Sequence, residues 1–124
     1  MSKLAIVGSR RFNNYALMKE ILEPHLDEIS MVVSGGAIGA DTLGQKFAKE
    51  FGLPILIYYP EWKKYGKRAA FRRNVLIANV AHRMIAFAYD DSRGTRHVIS
   101  KMKQLEKPVT VIELGGNNVT NTKE

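Results

Sequence analysis

Short, unbroken apolar runs rich in β-branched residues alternate with helical spacings along almost the whole chain, and this alternation restricts the fold more than any other feature. Leu4-Ala5-Ile6-Val7, Met31-Val32-Val33, residues 53–58, Met84-Ile85-Ala86-Phe87 and Val109-Thr110-Val111-Ile112 read as five strands. Between them, residues 14–26, 38–51, 66–81 and 95–105 carry apolar side chains at helical spacing. The strand segments are continuously apolar instead of alternating, so both of their faces are expected to be buried. Strand and helix in strict succession give a parallel sheet with right-handed crossovers and helices on both sides. The expected fold is therefore α/β, a Rossmann-like three-layer αβα sandwich with a five-stranded parallel sheet. One domain is expected over 1–114, followed by a flexible polar tail over 115–124.

With 124 residues the chain is long enough for one hydrophobic core without staples. The absence of cysteine excludes disulfides, thiolate metal sites and cysteine nucleophiles. No apolar run approaches the roughly 20 residues of a membrane helix, so a cytoplasmic protein with no membrane partner is expected. Lysine and arginine number 19 against 12 acidic residues, a formal charge of +7. The excess is local: Lys63, Lys64, Lys67, Arg68, Arg72 and Arg73 face only Glu61 within 61–73. Such a block suits an anionic partner, either a nucleotide or a nucleic acid backbone, and suits equally a solvated basic helix face.

In open α/β sheets ligands bind beyond the carboxyl ends of the strands, where strand order reverses. Four loops therefore matter. The first strand ends in Gly8-Ser9-Arg10-Arg11, a tight turn whose hydroxyl and guanidinium groups can reach a phosphate. The second ends in Ser34-Gly35-Gly36-Ala37-Ile38-Gly39-Ala40-Asp41, small residues at a helix start, where backbone N–H groups and the helix N-terminus favour an anion. This is neither the dinucleotide fingerprint nor a P-loop, and it also reads as an ordinary capped turn. If Gly39 makes room for phosphate, Gly39→Val should remove binding with little loss of fold.

The third loop interleaves Tyr58, Tyr59, Trp62 and Tyr65 with the basic block, which suits base stacking, although Trp62 could equally cover the sheet's end. Arg72 and Arg73 splay by about 100° on a helix. Asn74 is unfavourable mid-helix without a partner, so Arg73 and Asn74 are expected to face inward. The fourth strand leads into Asp90-Asp91-Ser92-Arg93-Gly94-Thr95, with glycine and a hydroxyl opening a helix. Asp90 and Asp91 suit a ribose hydroxyl, a divalent ion or simple capping. No cofactor is required by the sequence, a divalent metal at Asp90 and Asp91 being the one option. His25, His82 and His97 have no zinc-site spacing, and only His97 lies beside Gly94-Thr95.

Taken in order, Ser34-Gly35-Gly36-Ala37-x-Gly39-Ala40-Asp41, Trp62-x-x-Tyr65-Gly66-Lys67-x-Ala69, Arg73-Asn74 and Ser92-x-Gly94-Thr95 resemble the YspA/YpsA-related branch of the SLOG superfamily. That superfamily also contains the Lonely Guy phosphoribohydrolases and the DNA-processing DprA proteins. The resemblance covers residues 3–114, and the compact length would suit a phage or bacterial member. It implies a pocket for a nucleotide-derived ligand, cradled by loop 34–41 and Gly94-Thr95 with Arg73 and Asn74 beside them, often in a homodimer. The phosphoribohydrolases carry Pro-Gly-Gly-x-Gly-Thr-x-x-Glu, whose glutamate assists cleavage of an N-glycosidic bond. Here Val98 stands at the glutamate's place, leaving Asp41, Asp90 and Asp91 as the candidate catalytic carboxylates. DprA relatives share a Ser-Gly-x-Ala-x-Gly-x-Asp loop and bind single-stranded DNA. The sequence thus points first to a nucleotide-binding protein, with N-glycosidic hydrolysis or transfer, and single-stranded nucleic acid binding, as alternatives.

Overall fold

The computed structural model describes residues 2–115 in full and the backbone of 118–123. Strand β1 (Ser2–Gly8) leads to helix α1 (Tyr15–Leu22), a 3-10 turn (Glu23–Glu28) and β2 (Ile29–Ser34). Then come α2 (Ala40–Glu50), β3 (Ile55–Ile57), α3 (Trp62–Tyr65), a 3-10 turn (Gly66–Arg68) and α4 (Ala69–Val80). The chain closes with β4 (Arg83–Ala88), α5 (Arg93–Gln104), β5 (Val109–Gly115) and β6 (Asn118–Lys123). The first helix is shorter than its apolar spacing suggests because Pro24 lacks the N–H that would continue it.

The sheet order is β3-β2-β1-β4-β5-β6, with the first five strands parallel. This is the expected five-stranded parallel sheet. The sixth strand pairs antiparallel with β5, from Thr110 opposite Lys123 to Gly115 opposite Asn118. The segment expected as a flexible polar tail thus contributes a strand at Asn118–Lys123, while Gly116, Asn117 and Glu124 lie outside the described residues. Polar composition hides such a strand from a search for apolar runs, yet Val119, Thr120 and Thr122 are β-branched and the free edge of β5 offers unpaired backbone groups.

Successive strand residues feed two cores. Leu4, Ile6, Ile85 and Phe87 pack with Met18 and Leu22 of α1 and Phe47 of α2. Ala5, Val7, Met84 and Ala86 pack with Ile77 of α4 and Val98, Ile99 and Met102 of α5. Burying each large side chain contributes about 2 kcal/mol. The Lys107 ammonium donates to the carbonyls of Ala78 and Asn79, satisfying the C-terminal end of α4. Among the described residues no helix is long and apolar enough to cross a membrane.

The strand order fixes where a ligand can sit. Strands β1, β2 and β3 run outward to one side, and the chain then returns to place β4 against the other side of β1. The switch point lies between the carboxyl ends of β1 and β4.

Candidate functional site

A cavity of about 350 Å³ opens at that switch point. Its wall comes from the loops after β1, β2 and β4 and from one face of α4 and α5. Gly8, Ser9, Arg10, Ala37, Asp41, Arg73, Asn74, Ser92, Gly94 and Thr95 all line it, as do Arg11, Asp91, Arg93 and Val98.

The loop after β1 is held rigidly by Ser9. Its N–H donates to the Phe87 carbonyl, its carbonyl accepts from Phe12 and Ala40, and its hydroxyl oxygen accepts from the Arg11 N–H. Arg10 extends from this turn to the cavity without an ion-pair partner among the described residues. Arg11 crosses the mouth to Asp91 at 2.6 Å and lies 4.3 Å over the Tyr89 ring.

The loop after β2, expected to cradle an anion, is braced partly by its own side chains. Part of its polar groups hold the loop itself: the Ala37 N–H donates to the Asp41 carboxylate at 3.1 Å, and the Ser34 hydroxyl donates to the Asp41 carbonyl, while the Gly35, Ile38, Gly39 and Asp41 amides have no acceptor among the described residues. The Ser9 carbonyl takes the Ala40 N–H at the start of α2. Gly35 lies against the Arg73 guanidinium and Gly36 under the Tyr59 ring. Gly39 has φ of 83°, and a Cβ there would stand 2.4 Å from the Ser9 carbonyl oxygen and 2.6 Å from Arg10 backbone atoms. Its missing side chain makes room for the loop after β1 and not for a ligand. Gly39→Val therefore tests the fold, contrary to the sequence expectation. Of this loop only Ala37 and Asp41 reach the cavity; Ser34, Gly35, Gly36 and Gly39 support it from behind.

Asp41 is the most perturbed acid of the site. It is 6% exposed, and burial pushes its carboxyl up to about 6, an effect that the Ala37 N–H and the nearby Arg73 only partly oppose.

The loop after β4 leaves its groups open. Ser92 precedes α5 with its hydroxyl oxygen accepting from the Tyr89 N–H, not from the helix. The Arg93 and Arg96 N–H groups find carbonyl partners, whereas those of Gly94 and Thr95 have no acceptor among the described residues. Thr95 is nine-tenths buried in the cavity wall, and its hydroxyl also has no hydrogen-bond partner there. A Cβ at Gly94 would meet nothing within 4 Å. Two orphan amides, a hydroxyl and the positive end of a 12-residue helix together present an anion-binding surface.

Helix α4 ties these loops together. Arg73 and Asn74 turn inward, while the Arg72 guanidinium lies outside, 3.9 Å over the Tyr65 ring. Arg73 donates to the Gly35 carbonyl and, at 2.9 Å, to the Asn74 side-chain oxygen. The Asn74 amide nitrogen reaches the Gly94 carbonyl at 3.3 Å and His97 Nδ1 at 3.0 Å. Asn74 thereby spends its polar atoms on protein partners, which makes it a positioning residue. Burial and the Lys101 charge lower the His97 pKa, which keeps the ring a neutral acceptor for the Asn74 amide. That link between Asn74 and His97 could not be read from the sequence, because it joins α4 to α5.

Trp62 and Asp90 stand outside the cavity. Trp62 is 56% exposed on α3, with Phe71 at 58% on α4 and Tyr59 at 62% nearby in the chain. Among the described residues none of Lys63, Lys64, Lys67, Arg68 or Arg72 forms an ion pair. No group of three or more His, Asp or Glu among them could hold a metal ion, and Asp91 is engaged by Arg11. Arg93 was not picked out as a site residue by sequence; its signal was its place between Ser92 and Gly94 at the helix start.

No protein-family model matches the chain, and no curated protein matches it. Solved structures do share its fold. DNA processing protein A from Streptococcus pneumoniae superposes with a TM-score of 0.74 at 22% identity, covering 93% of this chain. The same protein from Helicobacter pylori, described for its single-stranded DNA binding mode, gives 0.67 at 21% identity over 94% of this chain. The chain spans 51% of the first of these and 67% of the second. The class is thus a Rossmann-like α/β domain. More particularly, it has the fold found in DprA.

Proposed function

We propose that this protein binds single-stranded nucleic acid, seating a backbone phosphate in the cavity at the N-terminus of α5. The observation that carries this reading is the unclaimed set of donors there, the Gly94 and Thr95 amides with the Thr95 hydroxyl. Phosphate takes such donors at a helix start with full use of the helix dipole. Arg10 and Arg93 stand at the same cavity to neutralise charge. Exposed Tyr59, Trp62 and Phe71 among cations without ion-pair partners suit successive bases stacking while the backbone follows the basic block. The single-stranded DNA binding of the H. pylori structural neighbour supports the same choice.

The test is fluorescence anisotropy with a labelled oligo-dT at rising salt. The logarithm of affinity should fall linearly, with a slope of about −0.7 for each phosphate neutralised. Gly94→Leu should weaken binding at least about tenfold, because its side chain would fill the open space over the orphan amides. Undiminished binding by Gly94→Leu would move the phosphate elsewhere.

A second reading is favoured by the cavity's volume, about 350 Å³, which falls in the range of small-ligand pockets. A free nucleotide would place its phosphate on the same donors, and Asp41, a cavity carboxyl group with no ion-pair partner among the described residues, would be the candidate to assist glycosidic cleavage. Salt-insensitive binding of a mononucleotide, with free base released by wild type and not by Asp41→Asn, would favour it over the strand.

A further inference from the structure

We infer that Asp41 couples binding to proton uptake, so that the anion enters the cavity together with a proton that settles on the Asp41 carboxyl. This rests on the phosphate-binding reading of the cavity and adds the identity of the group that answers the ligand's charge.

The geometry begins with one carboxylate oxygen. Asp41 Oδ2 accepts from the Ala37 N–H, while its second oxygen has no donor among the described residues, and the residue forms part of the cavity wall. The charges around it come from every side of that wall. Arg73 projects from α4, Arg10 and Arg11 from the loop after β1, Asp91 and Arg93 from the loop after β4. None of these makes an ion pair with Asp41. Arg73 is committed to the Gly35 carbonyl and Asn74, and Arg11 to Asp91. A phosphate arriving at α5 would bring a second negative charge into the cavity that Asp41 lines, with Arg10 and Arg93 beside it.

A like charge brought near a carboxylate disfavours its ionised form. The phosphodiester cannot take the proton near neutrality, since it titrates far below that range. Asp41 can, because burial already holds it at about 6. The ligand's charge raises it further, and by linkage whatever raises a group's pKa on binding is bound more tightly when that group is protonated. His97 is the other titratable side chain near α5's first turn, but it faces Asn74, and its pKa is lowered by burial.

The experiment is titration calorimetry of the full chain with oligo-dT at neutral pH, in buffers of different ionisation enthalpy. Affinities are measured in parallel from about pH 5.5 to about pH 8, a window that spans the Asp41 transition. Wild type should take up a proton, up to one per site. Its affinity should fall with rising pH, approaching about tenfold per unit in the limit where only the protonated form binds. Asp41→Asn, which keeps an acceptor for Ala37, should bind without uptake and with a flat pH profile. His97→Gln should keep the wild-type profile. Binding by wild type without proton uptake would overturn the coupling while leaving the site in place, as would undiminished uptake in Asp41→Asn. If Asp41→Asn fails to fold, the proton count of wild type alone decides. Failure of oligo-dT to bind at any pH would remove the phosphate-binding reading itself, and the coupling with it.

Discussion

Residues 34–41 after β2 and 90–95 after β4 share an outward description: small and polar residues, glycine, an aspartate, and a helix beginning where the loop ends. In the first, the Gly36, Ala37 and Ala40 N–H groups and the Ser34 hydroxyl are spent inside the protein, while the Gly35, Ile38, Gly39 and Asp41 amides have no acceptor among the described residues. Asp41 holds Ala37, Ser34 holds Asp41, and the Ser9 carbonyl closes the start of α2. In the second, the amides of Gly94 and Thr95 and the Thr95 hydroxyl are left over. The clearer difference lies in the glycines. Gly39 has no room for a Cβ, while Gly94 has nothing near one. A glycine in such a loop can thus serve packing or openness, and what separates the two is where the neighbouring backbone lies.

The largest test of this contrast is Gly39→Val. A Cβ 2.4 Å from the Ser9 carbonyl oxygen, at a backbone angle that disfavours side chains, should cost at least about 3 kcal/mol in chemical denaturation. Gly94→Leu should leave the unfolding free energy within about 0.5 kcal/mol of wild type, since its side chain meets only open space. Equal losses from both substitutions would erase the distinction.

Asp41 sharpens it next. Its folded pKa of about 6 lies above the ordinary carboxylate value, so the folded state binds more protons than the unfolded chain in between. Stability therefore falls as pH rises from about 4 to about 6, and the deficit stays constant above that. Asp41→Asn should be more stable than wild type at pH 7 by about 3 kcal/mol, the gain shrinking toward zero near pH 4. Thermal melts across that window would show it. A destabilised Asp41→Asn at pH 7 would mean that the charge on Asp41, and not merely an acceptor there, holds loop 34–41.

The smallest effect belongs to Asp91→Asn. Its pair with Arg11 is exposed on both sides, so unfolding should change by less than about 0.5 kcal/mol. Freed from Asp91, however, Arg11 becomes available to a ligand phosphate, and affinity for oligo-dT should rise a few-fold. A loss of affinity would make Asp91 a ligand contact instead of a competitor.

Much of the fold was legible because strands buried on both faces leave continuous apolar runs, as Leu4 to Val7 and Met84 to Phe87 do. Strand β6 was not, since its backbone pairs along an edge with polar residues that carry no periodic signal. Within the candidate site, the strand-end rule led to the right loops, and the cost of an unpartnered asparagine in a helix turned Arg73 and Asn74 inward. The division of labour between loops 34–41 and 90–95 could not be read, because it depends on Ser9 and Arg10, distant in sequence, occupying the space beside Gly39. Trp62 illustrates the same limit: interleaved aromatic and basic residues signal a surface but not its distance from the cavity.

The position of β1 has a further consequence, for the order in which the molecule can be completed. It is synthesised before the other strands of this sheet, yet it ends between β2 and β4, and its second neighbour spans Arg83–Ala88. Until β4 has emerged, one side of this strand is a bare hydrogen-bonding edge carrying the apolar residues Leu4 to Val7, open to pairing with another copy. A nascent chain halted after α4 would lack both β4 and the loop that follows it. The same event that closes the vulnerable edge also creates the cavity, so a chain able to hold ligand there has already passed its most aggregation-prone stage.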